Sequence, residues 1–80
     1  MGATSLLSVP VGFQWRHTES GKKWVVTGLR PGGVCEIHRV GRHVTGEMYA
    51  RDIRAAIERG GTVQVELSDE ARAILRRCNA

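Results

Sequence analysis

Cys35, His38 and His43 follow one another as C-x2-H-x4-H, and Cys78 stands far downstream, so four side chains of zinc-ligand type are present. A structural zinc site needs such side chains to converge, usually from a Cys-x-x-Cys turn, and no such turn occurs. Cys35 and His38 lie three apart in an extended stretch, where a regular pleat sends them to opposite faces. The expectation is therefore no metal, with Cys35 and Cys78 buried as reduced thiols and the histidines on the surface. A nucleophilic site would set Cys35 beside His38 as base, with Glu36 or Asp52 orienting it. Neither a nucleophile elbow nor a phosphate loop nor a carboxylate pair accompanies these residues. Gly32-Gly33 lacks the Lys-Ser/Thr of phosphate loops and is explained by turn geometry. The chain is expected to be no enzyme and to need no cofactor.

The cations form a clearer pattern. Residues 1–45 hold Arg16, Lys22, Lys23, Arg30, Arg39 and Arg42 against only Glu19 and Glu36. Residues 46–80 balance six basic side chains with six acidic ones, so the net charge of +4 belongs to the front half. His17, His38 and His43 lie there too. A basic half suits an anionic partner, either nucleic acid or an acidic protein surface. Those six residues are the candidate nucleic-acid contacts, placed to neutralise phosphates.

The elements that must position them come from 80 residues, enough for one compact domain. So short a chain buries only roughly 60% of its unfolded surface, and its apolar residues must supply one small core. A dinucleotide fold needs more chain, and no run approaches the roughly 20 apolar residues of a membrane span. Residues 1–8 are expected to be flexible and 9–80 to form a single α+β domain. The first residues lack the charged start and long apolar stretch of a secretory signal, which predicts a cytoplasmic protein without membrane attachment.

Val11 to His17 alternates, with Val11, Phe13 and Trp15 on one side, as a half-buried strand does. A polar turn through Gly21 leads to a second strand, Lys23 to Leu29, rich in residues that suit a pleated surface. Arg30-Pro31-Gly32-Gly33 has the Pro and Gly placement of a type II turn, and Val34 to Val40 follows as a third strand. From Thr45 the period changes: Tyr49, Ile53, Ala56 and Ile57 form a helical stripe, predicting a helix from about Gly46 to Arg59. Thr45 would cap it, Gly60 would close it, and Glu47 with Arg51 and Arg54 with Glu58 would pair along it. Thr62 to Leu67 is the cleanest strand, and Ser68 caps a last helix bearing Ala71, Ile74, Leu75 and Cys78 on one stripe. The order is β-β-β-α-β-α: a small antiparallel sheet packed against one or two helices.

Trp15 and Trp24 lie on adjacent strands and are expected to face the first helix, leaving Gln14, Arg16, Lys23, Val25 and Thr27 outward. Exposed instead, the rings interleaved with Arg16, Lys23 and Arg39 would stack unpaired bases. Thr62-Val63-Gln64-Val65-Glu66-Leu67-Ser68-Asp69-Glu70-Ala71 resembles the opening of a ribbon-helix-helix repressor, with its alternating strand, Ser cap and acidic first turn. The resemblance stops with this segment and carries no DNA contact over. A three-stranded sheet followed by a helix is also similar in outline to the DNA-binding domains at the front of phage-type integrases. The expected function is non-catalytic binding of nucleic acid through the basic strands and turns. The alternative is a protein-binding regulator, of the size of the anti-CRISPR-like inhibitors of mobile elements, and a homodimer is compatible with either.

Overall fold

A computed structural model of the chain describes residues 9–78, so the flexible start expected over residues 1–8 lies outside the described residues. Five strands and two helices follow in order: β1 (Gln14–His17), β2 (Lys23–Arg30), β3 (Val34–Arg39), β4 (Thr45–Tyr49), α1 (Ala50–Glu58), β5 (Thr62–Val65) and α2 (Asp69–Cys78). The strands form one sheet in the order β4-β3-β2-β1-β5, antiparallel at every pairing. This is an α+β fold.

The first three strands form the expected meander. Gly32 and Gly33 both take positive φ in the β2–β3 turn, which a Cβ would strain there. A register shift interrupts β2 between Val26 and Gly28. A Cβ on Gly28 would strike the Glu36 carboxylate across the ladder.

The segment after the third strand departs from the helical expectation. Residues 45–49 form β4 and pair with β3 from Val34↔Tyr49 to His38↔Thr45, so α1 begins at Ala50 and not at Gly46. The observed order is β-β-β-β-α-β-α. The physical reason is the unpaired edge of β3, which offers this stretch a ladder of backbone hydrogen bonds, whereas Gly46 would weaken the first turn of a helix. Tyr49 takes the N-cap position without a side-chain cap, and the Ala50 N–H donates to Gly33 O at 2.8 Å. Glu47 lies on β4, and the Arg51 guanidinium sits 4.6 Å over the Tyr49 ring, so the expected Glu47–Arg51 pair is absent. The C-terminus closes as expected. Gly60 has φ +84° and donates to Ile57 O, and Gly61 donates to Ala56 O, the paired hydrogen bonds of a Schellman cap.

Both faces of the sheet are covered. On one, Trp15, Val26, Cys35 and Ile37 pack against Ile53 of α1, with Phe13, Trp24, Met48 and Ile57 at the margin. On the other, Val25 and Val40 pack against Ala71 and Ile74 of α2, flanked by Leu67 and Leu75. Burying each such side chain contributes about 1.5–3 kcal/mol. The second layer corrects three expectations. Gln14 and Val25 are buried beneath α2 and do not point to solvent, Cys78 is exposed on the last turn of α2, and Val11 lies exposed in the turn that precedes β1. β5 pairs with β1 inside this sheet. Among the described residues, no helix is long and apolar enough to cross a membrane.

Candidate nucleic-acid interface

Strand direction decides where the cations gather. β1 ends at His17 and β2 starts at Lys23, while β3 ends at Arg39 and β4 starts at Thr45, so the β1–β2 and β3–β4 turns share one end of the sheet. Arg16, Lys22, Lys23, Arg39 and Arg42 all lie at that end, with His17, His38 and His43. Arg30 stands apart at the opposite end, where its guanidinium bonds to the Glu47 carboxylate and lies 3.7 Å from Glu36.

Arg16 and Lys23 are direct register partners on β1 and β2. His17 donates its N–H to Lys22 O at 2.8 Å, so the next pair along, Arg16 with Lys23, is a non-hydrogen-bonded pair, the kind that brings side chains closest. Like charges directly opposite one another cost stability. Both residues are half-buried.

Lys22 is exposed in the β1–β2 turn, which Gly21 completes at φ +77°. Thr18 ties this turn to the end of α1 by donating its hydroxyl to the carbonyls of Gly60 and Gly61 at 3.2 Å. Arg39 projects on the α1 side, its guanidinium 5.9 Å from the Trp24 ring centre, and its buried Nε has no partner among the described residues. Trp15 is 2% exposed and Trp24 half-buried, so both rings belong to the layer beneath α1 rather than to an open stacking surface.

Arg42 is exposed on the β3–β4 turn, beside Gly41 at φ +91°. Here the fold assembles a cleft that sequence reading did not find: His38, Gly41, Arg42 and His43 face Glu70, Ala73, Ile74 and Arg77 of α2 across a volume of about 220 Å³. Arg77 counts as balanced in a charge tally of the back half. Only the crossing of α2 over the sheet brings it to the basic end.

The sheet separates Cys35 from the histidines that could have joined it as base or metal ligand. Cys35 is buried under α1 and burial pushes its thiol pKa up, which keeps the sulfur protonated. His38 projects on the α2 side, as the pleat requires. Among the described residues, no three His, Cys, Asp or Glu side chains gather to hold a metal ion. No protein-family model matches this chain, and neither a curated protein nor a solved structure matches it.

Proposed function

We propose that this protein is a non-catalytic binding module that holds nucleic acid by its phosphates, using the turn end of the sheet. One observation carries the reading: five of the six front-half cations lie at that end, and two of them, Arg16 and Lys23, are direct register partners, a like-charge opposition expected to cost stability. Phosphate neutralisation recovers that cost, because each phosphate contact replaces repulsion with attraction and releases counterions. The two free cysteines suit a reducing compartment such as the cytoplasm, and the outer edge of β4 leaves room for pairing with a second copy.

Titration of fluorescent duplex DNA, single-stranded DNA and RNA at about 50 and about 200 mM salt tests the proposal, with four phosphate contacts giving a log–log slope of roughly −3.6 on duplex. Absence of binding to all three at the lower salt would sink it. The second reading, a regulator or inhibitor docking on a protein of a nucleic-acid-processing complex, draws on the opposite end of the molecule. There Leu29 is 57% exposed beside Pro10, Val34 and Ala50 in an apolar cleft, a surface that suits a protein and not a phosphate backbone.

A further inference from the structure

We infer that the cleft between α2 and the β3–β4 turn is a pocket for a single phosphate monoester. Resting on the reading above, its source is the terminal phosphate of a nucleic-acid strand. Donors reach the cleft from three places in the fold: His38 from β3, Arg42 and His43 from the turn, and Arg77 from α2. None of the four side chains has a hydrogen bond or ion pair with another described residue. Other arginines are committed: Arg30 to Glu36 and Glu47, Arg72 to Asp69, Arg51 to the Tyr49 ring. Two uncommitted guanidinium forks beside two imidazoles form a donor set, and the one carboxylate lining the cleft, Glu70, bonds to none of them.

Size and charge narrow what the acceptor is. The cleft, at about 220 Å³, holds a tetrahedral anion with its first ester atoms and falls below the roughly 300–1,000 Å³ of pockets that take whole small molecules. Arg42 and Arg77 outweigh Glu70, and a monoester supplies up to two negative charges and three terminal oxygens, whereas an internal diester supplies one charge and two such oxygens. Bidentate guanidinium forks match that geometry, and each imidazole adds an N–H donor. Ala73 and Ile74 give the cleft an apolar floor that lowers competition from water. Glu70 opposes the anion, so its neutralisation should tighten binding.

The test compares a 3′-labelled single-stranded DNA decamer carrying a 5′-phosphate with the same strand carrying a 5′-hydroxyl. The phosphorylated strand should bind at least about tenfold tighter. Arg77→Gln should weaken the phosphorylated strand more than the hydroxyl strand and so abolish the difference between them, and Glu70→Gln should widen the preference. Equal binding of the two strands, or a preference that survives Arg77→Gln, would overturn the pocket and leave the interface standing. Failure of both strands to bind would remove single-stranded termini as the source, and the interface falls as well if duplex DNA and RNA also fail to bind at the lower salt. In that case NMR titration with inorganic phosphate decides the pocket: saturable shifts at the His43 and Arg77 amides retain it with free phosphate as its source, and their absence overturns it.

Discussion

The side-chain carbonyl of Gln14 accepts the backbone N–H of Ser68 at 3.0 Å, joining the start of β1 to the cap of α2 across 54 positions of sequence. The Ser68 hydroxyl donates to the same oxygen at 3.4 Å and accepts the Ala71 N–H at 3.2 Å, so one buried amide orients the cap of a whole helix. Gln14→Ala should cost about 1–3 kcal/mol, because it strands a part-buried N–H and opens a gap under α2. Ser68→Ala should cost about 1 kcal/mol. The two losses share a hydrogen bond, so the double variant should fall short of their sum in urea melts. Strict additivity would show that the amide and the cap act independently.

Ile53 is 1% exposed at the centre of the α1 layer, while Ile57 sits at its margin. Truncating Ile53 to Ala should remove about 2–5 kcal/mol, with Ile57→Ala costing less. Arg51→Ala gives up only a stack on an exposed tyrosine, worth about 0.5–1 kcal/mol. An Arg51 variant as unstable as Ile53→Ala would contradict the packing of α1.

The two thiols should differ sharply in reactivity. Cys78 is exposed and Cys35 buried, so at pH 8 a thiol reagent should label one cysteine in the native protein and the second only in denaturant. Burial raises the Cys35 pKa above its ordinary 9.0. The stability its neutral form contributes is therefore fully present below pH 9.0 and lost as pH climbs through the raised folded value. Equal labelling rates would mean that the α1 layer opens readily.

Relieving the Arg16–Lys23 opposition should separate stability from binding. Arg16→Gln is expected to stabilise the fold by about 0.2–1 kcal/mol in thermal or urea melts. The same change should weaken nucleic-acid binding and reduce the steepness of its salt dependence by about one contact. A variant that loses stability and keeps its affinity would assign the pair a structural role instead.

Much of this fold is legible in the residues themselves. The alternation of Trp24 and Val26, the glycines after Pro31, the Ile53–Ile57 stripe and the Ser68 cap all report local geometry, and local geometry is what periodicity encodes. β4 was illegible because Thr45 to Tyr49 fits a helix start by spacing alone, and only the waiting edge of β3 makes it a strand. Gln14 and Val25 read as outward because a period of two distinguishes faces without telling how many are covered. The site divides the same way. Charge counting finds Arg16, Lys22, Lys23, Arg39 and Arg42, but Arg77 joins them through a helix crossing that leaves no trace in sequence spacing.

The placement of β1 between β2 and β5 has a kinetic side. Its pairing with β2 closes only the short turn 18–22, whereas its pairing with β5 joins Gln14 to Val65 and encloses the rest of the meander and α1. Closing the larger loop costs more chain entropy, so β1 to β4 can zip as neighbours while β5 and α2 dock afterwards, converting a one-sided ribbon into a filled sandwich. This order predicts a native-like half-way state whose exposed side is the Val25–Val40 face. Amide exchange that is faster for β5 than for β2 and β3 would reveal it, and uniform protection would show that the two halves fold as one.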